Sequence, residues 1–143
     1  MNSNTIATQM KDRKIALSAL WIFAMLNYIY NDVFGLFFNP AAQKTTLAMG
    51  QGPALVFAVL METAMAMILL SGVLKYSANR WANILAGIFH TALVAWSLTG
   101  ETPLPYCAFF SSVEIACTLL IIWIAWKWRN PESQPVYQSA RAH

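Results

Sequence analysis

Apolar and polar positions alternate along this chain on the scale of whole segments. Four apolar stretches, at about residues 14–38, 53–74, 80–99 and 105–128, are separated by short polar breaks. Each is about 20–25 residues long, which suits a bilayer hydrocarbon core of about 30 Å. The breaks carry helix punctuation: Asn39-Pro40 ends the first stretch, Gly50, Gly52 and Pro53 open the second, Gly100 closes the third and Asn130-Pro131 closes the fourth. Their Ala, Leu, Met and Ile content favours helix. Strands of a membrane barrel would alternate in polarity over about ten residues, and these stretches do not. The pattern predicts an all-α, polytopic membrane four-helix bundle over residues 14–129. A polar, frayed N-terminal segment at 1–13 and a flexible polar tail at 130–143 flank it.

Composition strengthens that reading. The chain is 58% hydrophobic and only 10% charged, with mean hydropathy +0.49, whereas soluble domains carry about 25% charged residues. The net charge of +3 comes from residues scattered at segment ends, so it indicates topology and not a nucleic-acid partner. Lys11, Arg13, Lys14, Lys75, Arg80, Lys127, Arg129 and Arg141 fall on one side of the predicted bundle, and Lys44 alone on the other. The positive-inside rule then puts both termini and the second loop in the cytoplasm, with the chain multi-pass in the membrane. Trp81, Trp126 and Trp128 lie at the predicted cytoplasmic rim, and Trp96 and Tyr106 near the outer one. The first apolar stretch is longer than a leader h-region, contains Asn27, Asn31 and Asp32, and lacks a clear small-residue cleavage site, so it reads as a span.

The second and fourth stretches share a pattern. Pro53, Phe57, Glu62 and Lys75 match Pro105, Phe109, Glu114 and Lys127 at a constant offset of 52 residues. Both predicted helices run from outside to inside. The arrangement is compatible with two helical hairpins related as a parallel repeat, although two apolar helices also match by chance.

The candidate chemistry lies inside these stretches. Three of the six acidic residues, Asp32, Glu62 and Glu114, are there, and so is His90. At 1.5 Å per residue, Glu62 and Glu114 lie about 14 Å from the outer rim and His90 about 15 Å, with Asn27 at a similar depth and Asn31 and Asp32 about 10 Å in. Four helices thus bring a polar group to one level. Helical spacing supplies matching stripes: Ala24, Asn27, Asn31 and Gly35; Ala58, Glu62 and Ala66; Asn83, Gly87, His90, Val94 and Ser97; Cys107, Ser111, Glu114 and Thr118. Lipid cannot satisfy such groups, so the stripes are expected to face one another. For Asn27 and Asn31 the simpler role is interhelical hydrogen bonding, and for Asp32 a partly wet position near the outer interface. His90 alone would be a packed residue. Glu62 and Glu114 are harder to assign to packing, because a carboxylate near the bilayer centre costs about 2.5–3.5 kcal/mol even on mild scales. The candidate ligand- or proton-binding set is therefore Glu62, Glu114, His90, Asn27, Asn31 and Asp32. Two carboxylates and an imidazole at one level would titrate as a coupled set.

Several chemistries are disfavoured. Cys107 and Cys117 fall on one predicted helix about 15 Å apart, too far to pair, and no C-x-x-C occurs. The Glu-x-x-His spacing of di-iron bundles is missing, and a single membrane histidine excludes bis-histidine haem within one chain. No metal or cofactor is expected, and no catalytic residue can be named.

The segment from Met61 to Ser97 has a glutamate in an apolar helix, a short basic turn, then a helix with a polar residue mid-span. In this it resembles the DoxX-like superfamily of small four-helix bacterial membrane proteins. LWIFAMLNYIYND (Leu20 to Asp32) with NRWANILAG (Asn79 to Gly87) is closer to an uncharacterised branch of such proteins. The resemblance covers most of residues 14–129 and implies four inner-membrane spans; some relatives are linked to a quinone-reducing oxidoreductase. Three functions follow as expectations. The first is binding or transport of a small solute, proton or cation, with a homo-oligomer supplying the path. The second is an accessory or assembly subunit of a membrane complex. The third, a quinone-linked oxidoreductase subunit, has the least support because no catalytic motif is present. The expected partners are the lipid bilayer, a small-molecule ligand and further copies of the chain.

Overall fold

A computed structural model describes residues 3–99 and 103–128. Every regular element among them is helical: α1 (Ser3–Phe38), α2 (Pro40–Leu47), α3 (Gln51–Val73), α4 (Tyr76–Ser97) and α5 (Pro105–Trp126). The tail expected at 130–143 lies outside the described residues, as does the turn centred on Glu101.

Helix α1 is 36 residues long, about 54 Å at 1.5 Å per residue. It begins well before the expected start near Lys14. No proline or glycine interrupts the first 34 residues, and extending an anchored helix adds one hydrogen bond per residue fixed. Asn39 ends α1 and starts α2. Its Oδ1 accepts from the N–H groups of Ala41 at 3.1 Å and Ala42 at 3.2 Å, and Pro40 occupies the first helical position. Residues 40–47 read from sequence as part of a polar break, since eight residues with no apolar periodicity give no helical signal; Asn39 and Pro40 are the only trace of α2.

Helices α3 and α4 are joined by Leu74 and Lys75 alone, both extended. The tight reversal leaves carbonyls at the end of α3 without helical partners. Asn79 supplies one: its Nδ2 donates to the Ser71 carbonyl at 2.6 Å. Asn83, one turn on, ties three helices together. Its Oδ1 accepts from Trp21 Nε1 at 2.8 Å and Ser71 Oγ at 3.0 Å, and its Nδ2 donates to the Asn79 carbonyl and Oδ1 at 2.9 and 2.6 Å. All its hydrogen-bonding capacity is used, inside a region where Trp21, Ser71, Asn79 and Asn83 are each 0% exposed.

The four long helices close into a ring in which α1 packs on α3 and α5, α4 packs on α5, and α3 meets α4 least extensively. Leu17, Trp21, Ala24 and Tyr28 of α1 meet Ala64 and Met67 of α3, and Cys117 and Ile121 of α5. The outside is as apolar as the inside: Phe23, Leu69, Val73, Trp96 and Phe109 are all exposed. Such a surface would aggregate in water and suits lipid. Three helices, within Ala7–Phe38, Gln51–Val73 and Pro105–Trp126, are long and apolar enough to cross a bilayer. The chain is thus an all-helical membrane protein. Lys127 Nζ lies 4.4 Å from the Trp123 ring centroid and the Arg80 guanidinium 5.8 Å from that of Trp126, an aromatic and basic rim at one end.

Gly87 sets how close α4 comes to α5. A Cβ there would lie 2.7 Å from Ile122 Cγ1, whereas one at Gly72 would meet nothing within 4 Å. Gly87→Ala should destabilise the fold by about 1–3 kcal/mol through overpacking. Gly72→Ala should stabilise it by up to about 1 kcal/mol through helix propensity. Unfolding of both variants in mixed micelles checks this contrast of sign.

Candidate functional site

Four helices line a half-open cavity of about 230 Å³ in the half of the bundle nearest Phe38 and Pro105. Helix α1 contributes Tyr28, Asn31 and Asp32, and α3 contributes Phe57, Leu60 and Met61. Helix α4 adds His90, Leu93, Val94 and Ser97, and α5 adds Glu114.

Glu114 is 2% exposed and receives one hydrogen bond, from Asn31 Nδ2 at a long 3.4 Å. A carboxylate offers about four acceptor sites, so this one is poorly served for its burial. Tyr28 stacks on His90 with ring centroids 5.6 Å apart and planes at 23°. Its hydroxyl is buried and, among the described residues, has no hydrogen-bond partner. Among the described residues no lysine or arginine is in the lining.

His90 is held from several sides. Trp21 meets it edge-on at 5.5 Å and Phe89 at 5.6 Å. Thr63 Oγ1 lies 3.0 Å from Nε2 and also 2.6 Å from the Leu60 carbonyl. The hydroxyl has one proton, which the carbonyl takes; toward His90 the oxygen can therefore only accept. In the neutral ring the proton sits on Nε2, and Nδ1 is the free acceptor.

Of the residues singled out by sequence, Glu114, His90, Asn31 and Asp32 line one cavity, and Asp32 is exposed at its edge. Glu62 does not join them: it is exposed on the outer face of α3. The buried residues of α3 are Ala64, Met67 and Ser71, and Ala64 lies about 200° around the helix from Glu62 at 3.6 residues per turn. The stripe Ala58, Glu62, Ala66 is thus the wrong face for an interior group, and the two matched glutamates occupy different surroundings. Asn27 is half-buried and donates to the Phe23 carbonyl of its own helix at 2.9 Å. The interior stripe of α1 is Leu17, Trp21, Ala24, Tyr28 and Asn31, so the expected stripe holds at Ala24 and Asn31 and departs at Asn27, whose place Tyr28 takes.

Tyr28, Thr63 and Ser71 were not singled out by sequence. For Tyr28 the signal was present in its i+3 and i+4 spacing to Asn31 and Asp32; for Thr63 and Ser71 there was none, since hydroxyls are common in membrane helices. Among the described residues no three of His, Cys, Asp and Glu gather as a metal site. Cys107 and Cys117 are free and both on α5.

A family model described as a family of unknown function, DUF6326, matches residues 5–134. It carries no link to the DoxX-like superfamily. No curated protein and no solved structure matches.

The hydrogen bonding of His90 predicts its tautomer. Nitrogen-15 NMR of histidine-labelled protein in bilayers, in a His143→Ala background, should show the neutral ring protonated at Nε2. Thr63→Val should abolish the corresponding hydrogen-bond shift. A dominant Nδ1–H form would contradict the arrangement.

Proposed function

The chain belongs to the DUF6326 family, and from that premise we propose that it binds a small solute inside the membrane. The observation that carries the reading is Glu114, buried with a single long hydrogen bond, beside a buried Tyr28 hydroxyl that has no partner, on the wall of a 230 Å³ cavity. Buried polar groups in native proteins are nearly always satisfied, and clusters of under-satisfied ones in a concave site mark ligand sites. Glu114, Asn31 and Tyr28 supply polar contacts, His90 supplies a ring face, and Leu60, Met61 and Val94 supply an apolar wall. Protons or cations would compete for the same carboxylate, which makes coupled transport the natural extension of binding.

In this reading α4 is a fourth span. Its polar residues Asn79, Asn83 and His90 are buried, and Leu85, Ile88, Phe89 and Trp96 face outward, so its lower hydropathy reflects an interior lining. The basic rim near Lys75, Arg80 and Lys127 is cytoplasmic by the positive-inside rule, with both termini on that side of a bacterial inner membrane and the cavity toward the outer half.

A screen of small solutes by thermal unfolding of the purified protein tests the reading. A ligand at 100 times its Kd should stabilise the folded state by about 2.7 kcal/mol. Glu114→Gln should remove that shift for the same ligand while remaining folded, since the amide keeps the shape. Shifts of equal size in both proteins would sink the assignment.

A second reading, an assembly subunit, is favoured by Glu62. A carboxylate near the middle of a lipid-facing helix is costly unless another surface covers it. A second copy packed through α3 would cover both Glu62 side chains across a two-fold axis. In a cysteine-free background, Val59→Cys, three residues from Glu62 on the same exposed face, should cross-link between copies in native membranes. Absence of the cross-link would remove this reading.

A further inference from the structure

A second cavity, of about 430 Å³, lies beneath α2. Ala42 and Thr46 of α2 roof it, and it shares two residues with the inner cavity, Asp32 and Phe57. Helix α2 has no buried residue and is fixed mainly at its Asn39 end. The two spaces are therefore neighbours across one carboxylate and one aromatic ring, with the larger one on the outside.

We propose that the ligand is a small organic monocation that enters beneath α2, passes Asp32 and Phe57, and docks its cationic head on Glu114. This rests on the reading of the inner cavity as a solute site and adds the class of solute and its route.

Charge comes first. Among the described residues neither lining contains a lysine or arginine, and Lys44 on α2 is exposed outside both. Each lining contains a carboxylate: Asp32 in both, Glu114 in the inner one. An anion would meet two carboxylates with no compensating cation, at high desolvation cost. A cation would be drawn inward along successive carboxylates, as in electrostatically steered sites.

Hydrogen bonding agrees. An ammonium offers only donors, and Glu114 and the Tyr28 hydroxyl oxygen have acceptor capacity that the protein leaves unused. Tyr28 and Phe57 place aromatic rings in the lining, which favours a cation. A bare metal ion fits less well, because among the described residues no three of His, Cys, Asp and Glu gather around one point. The pocket, of about 230 Å³, has room for a solute the size of one aromatic ring with a short amine.

Benzylammonium and benzyl alcohol, matched in shape and heavy-atom count, form the test. Binding is read by tryptophan fluorescence and calorimetry on the full chain in nanodiscs of zwitterionic lipid. Benzylammonium should bind saturably, at least about tenfold more tightly than the alcohol. Glu114→Gln should lose at least about tenfold in benzylammonium affinity and nothing for the alcohol. Asp32→Asn, at an exposed position where packing is not at stake, should slow benzylammonium association several-fold with little change in dissociation. Equal affinity for the two probes overturns the cation proposal and leaves the solute site standing. Loss of binding of neither probe on Glu114→Gln overturns both. An unaltered association rate in Asp32→Asn overturns the route.

Discussion

Inside a bilayer a polar group has no water to fall back on, so every such group in this chain must find a partner within the bundle or on another molecule. Asn83 shows the constraint fully met. It accepts from Trp21 and Ser71 and donates twice to Asn79, binding α1, α3 and α4 into one unit. Because Asn79 also closes the end of α3, the two-residue turn and the buried network are one device. The position of α4, and hence of His90, depends on it. Ser18 to the Ile68 carbonyl and Cys117 to the Leu20 carbonyl extend the same logic to the α1–α3 and α1–α5 contacts.

Two turns along α4 from Asn83 the constraint is only partly met. Glu114 has one long contact and Tyr28 none, although both are buried. The Asn83 half is saturated apart from Arg80 Nε, buried without a partner at the basic rim, and its contrast with the half that holds Glu114 and Tyr28 is the physical basis for proposing function at the latter. The saturated half gives rigidity; the unsaturated half is left with hydrogen-bonding capacity that a solute can use. The close approach at Gly87 sits between them and presses α4 onto α5.

The helical architecture was legible because membrane-length apolar runs and Asn-Pro or Gly breaks are strong signals. The interior faces of α4 and α5 were legible too. In those helices the polar residues Asn83 and His90, or Ser111, Glu114 and Thr118, all recur on one side, and all are buried. Helix α3 was not legible in this way: it is apolar on every side, so its one carboxylate suggested an inward face, while the packing of Ala64, Met67 and Ser71 turns Glu62 outward. In α1 both Asn27 and Tyr28 were available at interior spacing. The larger aromatic took the buried position beside His90, and Asn27 satisfied itself on its own backbone. The match of Glu62 to Glu114 was a similarity of sequence without equivalence of environment. Helix α2 was invisible for want of periodicity, and with it the second cavity.

The central claim is that Glu114, and not Glu62, is the interior carboxylate, paired with Asn31 in the wall of the cavity. Dipolar-recoupling solid-state NMR measures this in a bilayer, with carbon-13 at glutamate carboxyls and nitrogen-15 at asparagine side-chain amides. The account predicts a short-range coupling in the wild-type protein, matching the 3.4 Å contact, that vanishes in Asn31→Ala and in Glu114→Gln and persists in Glu62→Gln. A coupling that survives loss of Glu114, or disappears with Glu62, would contradict it.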